Sequence, residues 1–287
     1  MSPTPRLLVT GAAGQLGQLT VQALLARLPA AEIAVSVRKP QDAERFTAQG
    51  ITAHIADYTN PASLDAAFAG IERLLLISSN ALGQRVEQHR NVVVAAMKAG
   101  VQRLHYTSVL HADASSLGLA EEHRQTEALI TTSGMAFVLL RNGWYTENYA
   151  AGAKTAVQHG VLLGAAGDGR IAAAARADYA EAAAMTMLAA MPAQIYELAG
   201  DTSFTLKEFA AEISRLSGTG VAYENLDPAA YETVLKQAGL PAGLANLLAD
   251  SDAAASQGAL FDDHGALGKL LGRAPTPWRE TLASALG

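Results

Sequence analysis

The stretch Arg6–Leu25, RLLVTGAAGQLGQLTVQALL, decides the fold of this 287-residue chain. It begins as a short apolar run ending in Thr10 and turns through Gly11, Gly14 and Gly17. Leu16, Leu19, Val21, Leu24 and Leu25 then recur with helical spacing. A strand, a glycine turn and a helix in that order make a dinucleotide-binding fingerprint. Gly11 permits the tight turn, Gly14 lets backbone approach a pyrophosphate, and Gly17 lets the helix pack close to the strand. The helix N-terminus then directs its unsatisfied N–H groups and the positive end of its dipole toward the phosphates. The spacing is G-x-x-G-x-x-G rather than the commoner G-x-G-x-x-G.

Outward from this unit, apolar runs and helical stretches alternate. Glu32–Arg38, Ile51–Asp57, Arg73–Ser79, Arg103–Val109 and Ala136–Asn142 read as further strands. Arg73–Ser79 is continuous and apolar, as parallel strands covered on both faces are. Helices are predicted over Gln41–Gln49, from the Asn60 cap and Pro61 to Gly70, and over Val86–Ala99 and Ala120–Thr132, most of them followed by glycine. Six strands alternating with five helices imply an α/β fold, a doubly wound parallel (Rossmann) sheet with right-handed crossovers. Beyond Gly143 the rhythm changes. Tyr145–His159 reads as helix, Gly160–Ala175 as a glycine-rich loop with short strands, and Ala177–Ala190 as helix. Ile195–Leu198 reads as a strand returning to the sheet, and Thr205 with Glu208 as a capping box opening a helix to Ser217. Tyr223–Gly287 reads as mostly short helices separated by Gly and Pro. Residues 1–150 are thus expected to form the dinucleotide-binding domain, with about 176–202 returning to it. Residues 203–287, with a contribution from 151–175, are expected to form a smaller, mostly helical lobe over the carboxyl edge of the sheet, where ligands bind.

Half of the residues are apolar and the formal charge is −6, which argues against nucleic acid or an anionic membrane as partner. With no cysteine, disulfides, thiolate metal sites and a cysteine nucleophile are excluded. The opening MSPTPRLLVT lacks the pattern of a secretory leader, and no apolar run approaches the roughly 18 residues that span a bilayer. A cytoplasmic protein is expected. His54, His89, His105, His111, His123, His159 and His264 show no metal-ligand spacing, so no metal is expected. His111, just beyond the fifth strand, reads either as facing the pocket or, more commonly, as a surface-loop residue. No G-x-S-x-G elbow and no Walker loop occur.

An acidic residue ending the second strand would accept from a ribose 2′-hydroxyl and repel a 2′-phosphate. Arg38-Lys39 stands there instead. A guanidinium grips phosphate bidentately and stacks on adenine, so NADP(H) is expected rather than NAD(H). The bland alternative for Arg38 is a solvated charge at a strand end. Asp57 is compatible with a turn role or with a contact near the adenine amino group. Ser78 and Ser79 end the fourth strand, where small polar residues line a cofactor path.

The runs VTGAAGQLG, VRKP, LLLIS, YTSVLHAD and LLRNGWYTENY resemble the NmrA-like group of atypical short-chain dehydrogenase/reductases. Within it the likeness is to bacterial NADPH-dependent quinone oxidoreductases of the type called quinone oxidoreductase 2, and it runs essentially end to end. Triphenylmethane dye reductases share the RN-x-x-Y-T arrangement. The resemblance implies a phosphate loop of Gly11, Ala12, Ala13, Gly14, Gln15 and Leu16, with Arg38 as the 2′-phosphate clamp. It implies that Ser78, Ser79 and Asn80, together with Asn142, Gly143, Trp144, Tyr145, Thr146 and Glu147, line the cofactor and acceptor. Arg176 is a further candidate for a phosphate contact, with a structural salt bridge as its alternative.

Ordinary short-chain dehydrogenases use Tyr-x-x-x-Lys, and no tyrosine here has a lysine four residues on. His123 and Glu127 stand in that region. They read either as an acid–base pair or, more commonly, as two polar residues on an exposed helix face. Ser108 lies where the wider superfamily's catalytic serine would be, without its tyrosine. Asn142, Tyr145 and His123 are the candidate catalytic groups, none of them an assigned proton donor. Trp144, Tyr145 and Tyr149 offer flat faces for an aromatic acceptor or simply pack under the small lobe.

The missing donor suits only some acceptors. Hydride delivered to a ketone makes an alkoxide whose conjugate acid has a pKa near that of water, about 15.7. Delivered to a quinone it makes a phenolate, with a pKa near about 10. The difference lowers the need for a proton donor by on the order of 8 kcal/mol. The implied activity is therefore direct hydride transfer from NADPH to a quinone or aromatic acceptor, without flavin or metal, by an enzyme that is a possible homodimer. The rivals are a triphenylmethane-dye or related aromatic reductase, and a non-catalytic NADP-sensing regulator.

Overall fold

The computed structural model describes residues 6–189 and 192–287. Seven strands form the main sheet in the order β3-β2-β1-β4-β5-β6-β8. They are β1 (Leu7–Val9), β2 (Ile33–Val37), β3 (Thr52–Ile55), β4 (Arg73–Leu76), β5 (Arg103–Val109), β6 (Ala136–Asn142) and β8 (Gln194–Leu198). The pairs among the first six are parallel. The strand order reverses between β1 and β4, which makes the carboxyl ends of those strands the switch-point crevice.

The doubly wound sheet expected from the sequence is therefore present. Strand alternation explains its two covered faces. Leu8, Leu74, Leu76, Leu104, Tyr106 and Leu139 join one buried cluster with Leu64, Phe68, Val92, Ala96 and Ile130. Those partners come from α3 (Pro61–Phe68), α4 (Arg85–Ala99) and α5 (Ala120–Thr131). On the other face α1 (Gln15–Leu25) packs against α8 (Arg176–Leu188). A shorter helix, α2 (Pro40–Thr47), lies between β2 and β3 in the chain. Asn60 caps α3 by accepting from the Ser63 N–H, and Gly100 closes α4 at φ 74°.

By compactness the chain divides into two units. The first contains Met1–Val109, Glu122–Asn142 and Arg176–Tyr196. The second contains Leu110–Glu121, Gly143–Ala175 and Glu197–Gly287. Within the second, the segment read as one helix from Tyr145 to His159 is two, α6 (Thr146–Ala150) and α7 (Ala153–His159), interrupted around Gly152. Its own small sheet pairs β7 (Val161–Gly164) with β9 (Ala222–Asn225) in parallel. The sequence reading of mostly short helices from Tyr223 onward did not place this strand, because AYEN is exposed on most positions and shows no apolar alternation. It also missed the length of α11 (Ala242–Ser256), whose many alanines blur the helical period. The remaining helices are α9 (Leu206–Ser217), α10 (Pro228–Gln237), α12 (Ala266–Leu271) and α13 (Trp278–Leu286). The α9 capping box forms in both directions, between Thr205 and Glu208. Phe204, Phe209 and Trp278 make an aromatic core with centroids 4.8–5.5 Å apart. The expected end of α8 at Ala190, and the first five residues on which the leader reading turned, lie outside the described residues.

Candidate functional site

The glycine turn is built as its spacing demands, though its three glycines are not equivalent. Gly11 sits at φ +59°, where only glycine is comfortable. A Cβ on Gly17 would lie 2.5 Å from the Gly11 carbonyl oxygen and 2.7 Å from Ala12 Cα, so α1 sits this close only with a bare glycine there. On Gly14 it would meet the same oxygen at 3.3 Å, tight but not forbidden. Gly14 is the N-cap of α1 and supplies no side-chain cap, so that the first N–H groups are offered outward. Beneath the turn, Thr10 Oγ1 donates to the Leu75 carbonyl (3.0 Å) and accepts from the Ile77 N–H (3.1 Å). Tyr58 donates to the Ile77 carbonyl at 3.0 Å. These bonds tie the ends of β1, β3 and β4 into one floor.

Arg38 is exposed at the end of β2. Asp57 does not turn toward an outside partner through the oxygen Oδ1, which accepts from the N–H (2.8 Å) and hydroxyl (2.6 Å) of Thr59. Those bonds, reinforced by the charge of Arg38, hold its carboxyl below the usual carboxylate range. The turn role of Asp57 is thus visible in the geometry.

The loop after β4 is held from several directions. Ser78 N–H donates to Thr107 Oγ1 (2.8 Å), Ser79 N–H to His89 Nε2 (2.9 Å), and Arg85 Nε to the Ser79 carbonyl (2.7 Å). Ser79 Oγ also meets Gln88, and Glu122 receives the Gly83 N–H and Arg85. Because His89 Nε2 accepts, its proton resides on Nδ1, which faces Thr126 Oγ1 at 3.0 Å. Burial, helped by the Arg85 charge, lowers the His89 pKa to about 3 and keeps it neutral. Sequence reasoning gave Arg85, Glu122 and Thr126 no role and weighed His89 only as a metal ligand. Their signal was there as polar residues four apart on helices, but only the sheet tells which helix face is inward. Asn80 is exposed in this loop.

His123 and Glu127 contradict the expectation of an exposed helix face: both are buried, at 4% and 7% exposure. Residues 104, 106 and 108 of β5 and residues 139 and 141 of β6 look toward α5, which draws the polar pair inward. His123 Nδ1 lies 2.7 Å from Tyr106 Oη, and burial holds the imidazole well below its ordinary pKa. Glu127 accepts from Ser108 Oγ (2.6 Å) and, in a bidentate pair, from Arg141 Nε (3.0 Å) and an Arg141 terminal nitrogen (2.7 Å). His123 and Glu127 bond to different strand residues rather than to one another.

Asn142, the last residue of β6, is buried at 5% exposure, and its side-chain oxygen has no hydrogen-bond partner. The fully buried hydroxyl of Thr146, four residues on, is likewise without one. An unmet buried acceptor costs about 1–3 kcal/mol, which a fold tolerates where a ligand completes it. In the second unit, Gly143 N–H donates to the Leu198 carbonyl (2.7 Å), and Thr146 N–H to the Ala174 carbonyl (3.0 Å). These bonds fix the backbone of the segment. Trp144 is buried there, and Tyr145 and Glu147 are half-buried. Tyr149 is used internally, its ring edge-on to Phe204 and its hydroxyl 3.2 Å from Asp252 Oδ1. Arg176 opens α8 in the first unit and is half-buried.

His111 is not a free surface-loop residue. At φ +52° it is the one non-glycine residue of positive φ among the described residues. Its N–H donates to Glu197 (2.8 Å), and its ring lies 3.2 Å from the Phe261 carbonyl and 3.7 Å from Asp262. Among the described residues no group of three His, Cys, Asp or Glu is placed to hold a metal, and no helix is long and apolar enough to cross a membrane.

A glycine cradle that a Cβ would fill, an uncapped helix start, a guanidinium at the end of β2 and the unmet Asn142 oxygen together fit a phosphorylated dinucleotide. Residues 11–188 match the family described as NAD(P)H-binding. The chain is 52% identical to quinone oxidoreductase 2 of Escherichia coli over 96% of both chains. The crystal structure of that NADPH-dependent enzyme complexed with NADPH superposes with a TM-score of 0.96, covering 98% of this chain and all of that one. The Citrobacter sp. triphenylmethane reductase complexed with NADP(H) gives a TM-score of 0.94 at 34% identity, over 97% of this chain and 99% of its own. An NmrA-like family domain-containing oxidoreductase of Aspergillus flavus is 30% identical over 98% of this chain and 95% of its own.

Proposed function

This chain belongs to the NAD(P)H-binding family, with an NmrA-like oxidoreductase among its full-length relatives, and from that premise we propose that it is an NADPH:quinone oxidoreductase. The observation that carries this reading is the near-complete likeness, in sequence and fold, to quinone oxidoreductase 2. Gly11, Ala12, Ala13, Gly14, Gln15 and Leu16 hold the diphosphate, and Arg38 the 2′-phosphate. Ser78–Asn80 and Asn142–Glu147 line the nicotinamide and the acceptor, with Arg176 as a further phosphate contact. When bound, the reduced nicotinamide supplies a hydride.

The chain's own task is placement. Backbone N–H groups at the start of α1 face the diphosphate without competition from a cap. Asn142 is the candidate best supported among the reactive groups, because its buried oxygen needs a donor such as a carboxamide N–H or a quinol O–H. His123, bonded to Tyr106 and kept neutral, serves the interior. No Tyr-x-x-x-Lys pair is needed for an acceptor that leaves as a phenolate. Placement of donor and acceptor in near-attack geometry accounts for the catalysis.

The test is NADPH oxidation by purified protein with simple benzoquinones and naphthoquinones. Turnover is expected with several of them, and none with any would overturn the proposal. A preference for cationic triarylmethane dyes would move the acceptor class to that of the Citrobacter enzyme. The reading carries with it a cytoplasmic homodimer, which cell fractionation and light scattering test.

A further inference from the structure

We propose that Glu127 is a positioning residue of the reductase, locking the carboxyl ends of β5 and β6 so that the Asn142 carboxamide is held in place; its catalytic arm rests on the reading above. Ser108 and Arg141 are register partners on the two strands, and the next pair along is Val109 with Asn142. Glu127 grips both members of the first pair, Ser108 by one bond and Arg141 by two. All three residues are at most 7% exposed. On this same face the preceding strand residues Leu104 and Leu139 are packed in apolar core, with Ile130 of α5 beside them. Apolar packing therefore gives way to a charged clamp one residue before the buried oxygen that has no partner. A buried ion pair is a weak way to add stability compared with apolar filling, but it selects a single geometry. A bidentate guanidinium–carboxylate pair selects it most sharply.

The clamp has a second consequence. Ser108 donates its proton to Glu127, leaving only lone pairs for anything else near it. Toward anything else near it, Ser108 is thereby an acceptor. Acceptors that must be protonated as they are reduced find no donor in Ser108, which narrows the enzyme to acceptors that leave as stabilised anions.

The experiment compares the unsubstituted chain with Glu127→Gln, Glu127→Asp and Ser108→Ala. Without any cofactor, hydrogen–deuterium exchange in Glu127→Gln is expected to rise about tenfold across residues 136–145 and to stay unchanged across 33–37. With NADPH and a benzoquinone, kcat is expected to fall about 10- to 100-fold while KM for NADPH moves less than about threefold. Glu127→Asp recovers part of the loss, and the pH profile of kcat keeps its shape. Exchange that rises everywhere or nowhere overturns the proposal, as does an unchanged kcat. A limb lost from the pH profile also overturns it, because Glu127 would then be carrying the proton. If Glu127→Gln does not fold, Ser108→Ala decides, since it keeps the ion pair: faster exchange confined to 105–109 and 136–145 with a lower kcat supports the clamp, and unaltered values overturn it. Should the unsubstituted chain oxidise no NADPH with quinones, the reductase reading fails, and the cofactor-free exchange still decides the clamp.

Discussion

Arg38 stands exposed at the end of β2 with no acidic side chain at that position to favour an unphosphorylated ribose. A charge-assisted bond is worth about 1.5–3 kcal/mol, so Arg38→Glu is expected to weaken NADPH binding about 10- to 100-fold and to leave NADH binding much less affected. Calorimetry with both coenzymes checks it, and equal losses would remove Arg38 from the 2′-phosphate. Asp252 makes a different prediction. Its carboxylate accepts the Ala165 N–H (2.9 Å) and faces Tyr149, yet burial outweighs these bonds and raises its pKa from 3.8 to about 6. A raised carboxyl pKa means that the fold prefers the protonated form. Its contribution is full below about pH 4 and is lost as pH rises through about 6, a change of about 3 kcal/mol. The stability of the unsubstituted chain relative to Asp252→Asn should therefore decline between pH 4 and 7 in thermal unfolding. Parallel curves would show that Asp252 is not the group responsible. Sequence pattern identified Arg38 because strand end and motif spacing coincide there. Asp252 carries no such mark, since its burial depends on β7 and α6 closing over α11.

Among the elements, the turn between β1 and α1 and the helix that follows were readable in advance, because each glycine answers a local steric demand. The demand is strongest at Gly17, where a Cβ would press on Gly11 and Ala12 backbone. Gly17→Ala is expected to shift α1 from the turn, costing about 1–3 kcal/mol of stability and weakening NADPH binding about tenfold or more. Thermal unfolding and coenzyme titration measure the two effects, and unchanged affinity would show that the turn tolerates displacement. The α9 capping box was equally readable, as a pattern complete within four residues. The α5 helix was readable in extent and not in orientation. Its His123 and Glu127 look like surface residues by type, and only the facing residues Tyr106, Ser108 and Arg141 explain their burial.

For the whole molecule, the decisive prediction concerns acceptors. A chain without a Tyr-x-x-x-Lys pair, with Ser108 donating inward, should reduce quinones and leave simple ketones untouched under the same conditions. A parallel substrate panel checks this, and ketone reduction at a comparable rate would show that another group in the site donates a proton. The alternation of strands and helices and the glycine turn followed from sequence because short-range periodicity and backbone sterics are written in neighbouring residues. So did the expectation of a phosphorylated coenzyme, read from the Arg38 charge at a strand end. Which polar side chains turn inward, which of their bonds are met, and that the Asn142 oxygen is left unmet were decided only when β5, β6 and α5 came together. Hydrogen-bond satisfaction in an interior is a property of residues distant in the chain, and no local pattern records it.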